Sequence, residues 1–287
     1  MTARPTIFDR ALLRARQRRA VALGPATFLA ERVAQDMAER LSAVLREFAK
    51  AADVGTPTDA VRTALQASEK IGEIAAASIG DDEALSLRDA SLDLAVSGLA
   101  LQFVNDLPGV LAQIRRALKP DGLFLAALLG GDTLTELRQA FTLAEAECEG
   151  GMSPRVAPFA DVRELGALLQ RAGFALPVAD SDRLTVRYNE PFALMDDLRR
   201  MGATNVMHER RRTPMRRATL SRMMEIYAER FAEDDGRIRA TFEIIWLSGW
   251  APHPSQQQPL KPGSAQRRLA DALNVTEMPA GDKTPRG

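Results

Sequence analysis

The chain has 287 residues, of which 38 are basic, 38 are acidic and 46% are hydrophobic. The balanced charge gives no argument for binding nucleic acid, and no apolar run reaches the about 20 residues that a membrane span requires. The single cysteine, Cys148, excludes an internal disulfide framework, and its acidic neighbours disfavour a reactive thiolate. We therefore expect a globular protein in the cytoplasm.

The first predicted helix is rich in arginine. It follows Asp9 and interleaves five arginines with alanine and leucine up to Arg19. A transit peptide can have a similar composition, but no secretory apolar core follows, and aspartate is a common helix N-cap. We favour a basic helix that belongs to the domain.

The next segments alternate between helical and extended patterns. A 3.6-residue apolar period predicts a helix over residues 26–49. Ala51–Val54 then reads as a strand, followed by a loop at 55–58 and a helix over Asp59–Ala67. Ile71–Ser78 is a second, alanine-rich strand, and it runs into the acidic loop Asp81–Glu83.

The strongest pattern in the chain lies between Ser91 and Leu134. Leu92–Val96 and Leu123–Leu129 are short apolar runs, as expected for strands buried on both faces. An amphipathic helix and a Pro-Asp-Gly turn at 120–122 connect them. Such a connection predicts a right-handed parallel crossover, so the fold class is α/β. Ligands bind such sheets beyond the carboxyl ends of the strands.

The last third of the chain combines helices, strands and a basic insertion. Helices are predicted over Leu134–Glu147 and Val162–Ala172, and strands over Leu176–Tyr188 and Arg237–Trp250. Residues 191–233 form a mostly helical insertion between these strands.

Eight arginines crowd the insertion between Arg199 and Arg222, where the only acidic residue is Glu209. They form either a solvated helical face or a docking surface for a protein substrate or an acidic carrier protein. After residue 251 the composition predicts a mostly disordered tail over 252–287, so the domain spans 1–251.

Several longer motifs place this chain near a known family. They are FDRALLR at 8–14, GGDTLTELR at 130–138, LAEAECEGGMSPRVAPF at 143–159, DVRELGALLQRAGF at 161–174, FALMDDLRRMGATN at 192–205 and ATFEIIWLSGW at 240–250. With these motifs the chain resembles class I S-adenosylmethionine-dependent methyltransferases. Within them it resembles the BioC-like branch, and most closely the bacterial relatives of the mitochondrial complex I assembly-factor proteins. The resemblance covers about residues 6–250.

The resemblance implies a Rossmann-like, doubly wound sheet of seven strands with a helical insertion before the last strands. It also implies S-adenosylmethionine over the carboxyl ends of strands one, two and four. The expected function is a methyltransferase acting on a protein or carrier-linked substrate. Members of the assembly-factor branch are associated with arginine hydroxylation, so an arginine hydroxylase serving complex I assembly is one alternative. A non-catalytic assembly protein is the other.

The cofactor motif is only partly present in the first loop. Asp53 and Gly55 match the family's Asp-x-Gly-x-Gly-x-Gly pattern, and Thr56 lies in the same loop. Pro57 stands at the second glycine position, where it removes an N–H donor. Asp59 stands at the third and is a candidate cap of its own helix. A purely structural strand-to-helix turn remains the alternative interpretation.

The family's ribose-binding carboxylate after strand two has no clear counterpart, because the chain enters the acidic loop with no room for the usual helix. We therefore predict weak cofactor binding. Asp82 and Glu83 match the acidic pair expected near adenine, with an exposed acidic loop as the alternative. Ser97, Gly98 and Leu99 match the segment beside the methionine moiety.

No catalytic residue is predicted, because methyl transfer depends mainly on positioning and exclusion of water. Gln102 and Asn105 are candidates to face the pocket, although Asn105 or Asp106 is equally suited to cap the next helix. Asp132, after the second strong strand, is a candidate cap or pocket residue. The two histidines, His208 and His253, lack metal-ligand spacing, so no metal site is predicted.

Overall fold

A computed structural model describes residues 6–256. The helices are α1 (Arg10–Leu23), α2 (Phe28–Ser42), α3 (Ala60–Gln66), α4 (Leu107–Ala117), α5 (Thr135–Glu149), α6 (Val162–Arg171), α7 (Pro191–Arg200) and α8 (Arg217–Phe231). The strands are β1 (Phe48–Val54), β2 (Ile71–Ala77), β3 (Leu92–Gly98), β4 (Leu118–Leu129), β5 (Ala175–Tyr188) and β6 (Ile238–Trp250). A short 3₁₀ helix, Leu101–Phe103, follows β3.

The strands form one mixed sheet in the order β2-β1-β3-β4-β6-β5. β2, β1, β3 and β4 are parallel to one another, whereas β6 runs antiparallel to both β4 and β5. β3 is buried along its whole length. The predicted central position of the two strong strands is confirmed, as is the α/β fold class.

Helices cover both faces of the sheet, as a doubly wound fold requires. One buried cluster packs α2, α3, α5, α7 and α8 on one face, and a second packs α4 and α6 on the other. In the second cluster Phe124 of β4 stacks on Phe174, with ring centroids 5.3 Å apart.

The described residues contain six strands rather than the seven predicted. The chain leaves β2 at Ala77, folds back through an isolated antiparallel bridge between Ile79 and Leu85, and enters β3 at Leu92. A further parallel strand needs a crossover of a dozen or more residues in addition to the strand itself. The segment is too short for both, so β2 remains at the edge of the sheet.

The predicted helix over residues 26–49 is wrong at its carboxyl end, because α2 stops at Ser42 and Phe48 begins β1. Lys70 Nζ donates to the carbonyl oxygens of Ser42 and Val44, the latter at 2.6 Å. Leu45, which continues the apolar period, is fully exposed. The apolar period therefore continues beyond the end of α2, where Lys70 satisfies carbonyl groups that have no partner within the helix.

The insertion is less helical than predicted. α7 and α8 account for its two ends, but residues 201–216 between them contain no helix. Met207, in this irregular segment, forms an antiparallel bridge with Phe8 near the amino terminus. The insertion is thereby joined to the first helix.

Residues 1–5 and 257–287 lie outside the described part of the chain. The predicted disordered tail falls almost entirely within the second range, so it and the domain boundaries stay predictions. None of the helices within 6–256 is long and apolar enough to cross a membrane.

Candidate functional site

A cavity of about 360 Å³ lies beyond the carboxyl ends of the parallel strands. Three loops contribute to its floor: the one after β1 through Pro57 and Thr58, the one after β3 through Leu99 and Gln102, and the one after β4 through Thr133. α1, the start of α2 and the insertion also line the cavity. This is the position at which α/β sheets of this type bind ligands.

The loop after β1 keeps the backbone conformation of a glycine loop, but side chains of the protein occupy the space beside Gly55. Gly55 has a φ of +74°, in the left-handed region that favours glycine. A Cβ at Gly55 would lie 2.7 Å from Ile79 Cδ1 and 3.3 Å from Ala100 Cβ. The chain that folds back after β2 therefore packs directly on Gly55.

Asp53 holds this loop from beneath. Its carboxylate is almost fully buried and accepts hydrogen bonds from Thr56 Oγ1 and from Arg62 Nη1, the latter at 3.0 Å. Burial raises the pKa of Asp53, although Thr56 and Arg62 both favour its charged form. Asp59 forms an ion pair with Arg62 and makes no side-chain bond to the start of α3, so its predicted capping role is wrong.

The segment after β3 is cross-linked to both neighbouring strands. Ser97 Oγ donates to the carbonyl of Val54 at 2.7 Å, and Gly98 N donates to Thr56 Oγ1 at 2.8 Å. Leu99 N donates to the carbonyl of Ala127 at 2.8 Å, and its φ is +53°. The structure thus brings six predicted cofactor residues together, and Leu99 is the one of the six that lines the cavity.

The acidic pair after β2 has other partners. Asp82 is exposed and accepts from Ala84 N at 3.1 Å. Glu83 is buried, with a φ of +62°, and accepts from Asn105 N and Asp106 N, each at 2.6 Å. Its carboxylate therefore holds the start of α4. The predicted adenine contacts of Asp82 and Glu83 stay predictions.

Asn105 connects that carboxylate to the amino-terminal segment. Its Oδ1 accepts from Ile7 N and Phe8 N, both at 2.8 Å, and its Nδ2 donates to the carbonyl of Phe8 at 3.1 Å. Asp106 caps α4 by accepting from Gly109 N. Capping by Asn105 or Asp106 was predicted, and Asp106 is the residue that caps. Asn105 itself neither caps the helix nor lines the cavity, because its side chain binds the segment before α1.

Arg10 is a site residue that the sequence reasoning missed. It donates through Nη2 to the carbonyl of Ile79 at 3.2 Å and through Nη1 to that of Phe103 at 3.4 Å. Burial lowers the pKa of Arg10, and the charges of Glu83 and Asp81 oppose that effect. The guanidinium therefore spans the crevice between the end of β2 and the loop after β3. The available signal was the FDR triplet at 8–10.

The loop after β4 is held by Glu243 of β6. Glu243 Oε2 accepts from Asp132 N at 2.9 Å, and Thr133 Oγ1 donates to the carbonyl of Glu243 at 3.2 Å. Asp132 forms an ion pair with Arg183, and α5 has no side-chain cap, so the predicted capping role of Asp132 is wrong.

S-adenosylmethionine fits one half of this site better than the other. The cavity beside Pro57, Thr58 and Leu99 is open and largely apolar, as the methionine half and the methyl group require. On the ribose half the end of β2 carries no carboxylate, and Ile79 and Arg10 fill the crevice. Within residues 6–256, no group of three or more histidine, cysteine, aspartate or glutamate side chains is placed to hold a metal ion.

A model of the methyltransferase domain family matches residues 31–126. A candidate methyltransferase of known structure from Bacillus halodurans has the same fold, with a TM-score of 0.50, 15% identity and coverage of 76% of this chain and 98% of that one. The chain is therefore a protein with the S-adenosylmethionine-dependent methyltransferase fold.

The arginine-hydroxylase NDUFAF5 of Danio rerio is 36% identical over 95% of this chain and 91% of its own length. Its Dictyostelium discoideum counterpart is 44% identical over 67% of this chain, which spans only 44% of that protein. The malonyl-[acyl-carrier protein] O-methyltransferase of Xylella fastidiosa is 41% identical over 60% of this chain and 56% of its own. This chain belongs to the NDUFAF5 family.

The stabilising role of the Glu83 carboxylate at the start of α4 can be tested by substitution. In Glu83→Gln one carboxylate oxygen becomes an amide nitrogen, which cannot accept from Asn105 N or Asp106 N. We expect the variant to lose about 1.5–3 kcal/mol of unfolding free energy, measured in urea. Glu39→Gln, at an exposed position of α2, is the matched control and should change stability by less than about 0.5 kcal/mol. Equal stability of the two variants would contradict this role of Glu83.

Proposed function

We propose that this chain is an S-adenosylmethionine-binding enzyme that modifies an arginine side chain of a protein. The extent of the similarity supports the proposal. Four vertebrate proteins with the name arginine-hydroxylase NDUFAF5 are 36–37% identical over 94–97% of the chain, which includes the insertion over the cavity. The carrier-protein methyltransferases match 60–64% of it. We propose a subunit of respiratory complex I as the substrate.

The residues of this chain would perform three tasks in such a reaction. The backbone of Pro57, Thr58 and Leu99, which line the cavity, would hold the cofactor. Its sulfonium methyl would serve the methylation that is the second candidate below, whereas hydroxylation of an arginine would consume dioxygen, two electrons and two protons from outside the chain and release water. Leu129, Leu137 and Phe159 would exclude water from the reacting groups. The insertion would cover the substrate side chain.

Methylation of a carboxylate on a carrier-linked acyl group is the second candidate. The charged side chains that line the cavity in the described structure are all arginines: Arg16, Arg155, Arg199, Arg200, Arg210 and Arg211. An apolar cavity with a basic lining suits an acyl chain that ends in a carboxylate. Four of these arginines, however, are already paired with buried or half-buried acids: Arg155 with Glu145, Arg200 with Asp197, Arg210 with Asp9 and Arg211 with Glu149.

Deletion of the gene followed by mass spectrometry of complex I subunits tests the proposal. We expect one arginine to lose the mass of an oxygen atom in the deletion strain and to regain it when the gene is restored. Loss of a methylene mass from a carrier-linked acid would favour the second candidate instead. Loss of complex I with every arginine mass unchanged would contradict the proposal and favour a non-catalytic assembly protein.

We also expect weak cofactor binding, because the ribose hydroxyls find no carboxylate at the end of β2. Loss of hydrogen bonds to a charged group weakens binding by about 1.5–3 kcal/mol, which is roughly ten- to a hundredfold in Kd. Calorimetric titration with S-adenosylmethionine should therefore give a Kd no tighter than micromolar. Pro57→Gly restores an N–H donor and should bind at least as tightly. Pro57→Ala, which restores the donor without the freedom of glycine, is the control. Submicromolar binding by the unchanged protein would show that another group compensates.

The arginines of the insertion are our proposed docking surface for a macromolecular partner, but most of them have internal partners. Arg200 lies 3.9 Å from Asp197 of its own helix. Acids outside the insertion neutralise four others: Arg210 pairs with Asp9, Arg211 and Arg216 lie near Glu149, and Arg222 pairs with Glu147. Those acids attach the insertion to α1 and α5. Arg199, Arg212 and Arg217 are exposed and make no ion pair within residues 6–256. We therefore assign docking to these three.

Charge-reversal substitutions distinguish arginines that dock a partner from arginines that form ion pairs within the protein. The triple substitution of Arg199, Arg212 and Arg217 by glutamate should slow association with the substrate protein, and more strongly at low salt, because surface charges act mainly on the association rate. Because Arg199 lines the cavity, the control for cofactor titration is the double substitution of Arg212 and Arg217, which leaves the cavity lining unchanged and should not change cofactor binding. The same reversal at Arg211 and Arg216 should lower stability by separating them from Glu149. An unchanged association rate for the triple variant would exclude the docking role.

A further inference from the structure

Gln102 contributes a buried hydrogen-bond acceptor that no described residue satisfies. It is the middle residue of the 3₁₀ helix after β3 and lines the cavity. Its Oε1 is inaccessible to solvent and accepts no hydrogen bond within the described structure. Three other buried polar atoms share this condition, on Arg10, Tyr188 and Trp246, and none of those residues lines the cavity.

The orientation of the Gln102 amide is fixed by the hydrogen bond that its nitrogen donates. Gln102 Nε2 donates to the carbonyl of Leu99 at 2.7 Å. Reversing the amide would place its oxygen against that carbonyl, and neither atom could donate. Leu99 itself has a left-handed φ of +53°, a conformation that non-glycine residues adopt mainly where the surrounding structure requires it. The acceptor is therefore held in place by a strained loop at the cavity.

An unpaired buried acceptor is unfavourable, and native proteins contain few of them. The group that satisfies Oε1 must carry an N–H or O–H. A carboxylate offers only acceptors and would be repelled by the amide oxygen. Of the reacting groups of the two candidate substrates, the carboxylate and the guanidinium, only the guanidinium presents donors. The ammonium group of the cofactor, which would lie beside Leu99, is the other donor at this site.

The aromatic part of the lining suits a planar cation, whereas its charged part consists of arginines and does not attract one. A guanidinium has five N–H donors and apolar faces that pack on hydrocarbon and aromatic walls, and Phe103 and Phe159 line the cavity near Gln102. The lining residue Arg155 is neutralised by Glu145, which reduces the repulsion that a second cation would meet.

We propose that Gln102 is a specificity-determining residue whose Oε1 accepts a hydrogen bond from the guanidinium of the arginine that is modified. This inference rests on the proposed function, because it names the contact by which that site would recognise its substrate. It assigns a recognition role and no proton-transfer or covalent role.

Binding of small probes to purified variants tests the assignment. The probes are N-acetyl-arginine methylamide, its norleucine counterpart without donors, and N-acetyl-glutamate methylamide, which carries a carboxylate. Gln102→Leu removes the acceptor at similar volume and should weaken binding of the arginine probe about tenfold or more, with little effect on the norleucine probe. Gln139→Leu, an exposed glutamine on α5, is the matched control.

Gln102→Glu distinguishes recognition from a structural role. It keeps an acceptor facing the ligand but cannot donate to the Leu99 carbonyl, so it should bind the arginine probe at least as tightly as the unchanged protein. If Gln102 acted only by holding Leu99, both variants would weaken binding alike.

Equal affinity of Gln102→Leu and unchanged protein for the arginine probe would overturn the assignment. So would failure of the unchanged protein to bind that probe, or a preference for the glutamate probe. The arginine masses in the deletion strain test the proposed function separately, because they are read without any change at Gln102.

Discussion

The Glu83 carboxylate organises the cavity end of this molecule. It lies in a buried, left-handed position and receives backbone N–H groups from Asn105 and Asp106 at the start of α4. Asn105 in turn fixes the segment before α1, and that segment pairs with Met207 of the insertion. A buried carboxylate needs such donors, because without them its burial would be strongly unfavourable. Three stretches that are distant in sequence are thereby held around one crevice.

The shortened connection after β2 changes the ligand crevice as well as the sheet. The strand that the connection cannot form would have extended the sheet, and the residues that replace it fold back onto Gly55. The nucleoside half of the crevice is consequently occupied by Ile79 and Arg10, whereas the methionine half stays open. The short connection that leaves the sheet with six strands therefore also closes one half of the crevice and leaves the other half open.

Local sequence patterns predicted the elements whose burial is strong and two-sided. β3 and β4 were predicted because their continuous apolar runs fit strands that are buried on both faces of a sheet. The predicted site residues lie together because they follow parallel strands, and parallel strands end at the same edge of the sheet. Partners distant in sequence were not predictable in this way. Nothing in the sequence near Ser42 shows that Lys70 ends α2, and nothing near Arg222 shows that Glu147 neutralises it. The unpaired oxygen of Gln102 has no sequence signal at all, because it is defined by what surrounds it in space.

The edge position of β2 has a consequence for association between copies of the chain. An exposed strand edge presents backbone donors and acceptors to any extended segment that meets it, and an alanine-rich strand such as β2 offers little steric resistance. Glu73 is exposed in the middle of β2, where it places a negative charge at this edge. Two such edges would bring their glutamates together on pairing. The charge thus opposes edge-to-edge aggregation at the position where a seventh strand would otherwise have covered the sheet.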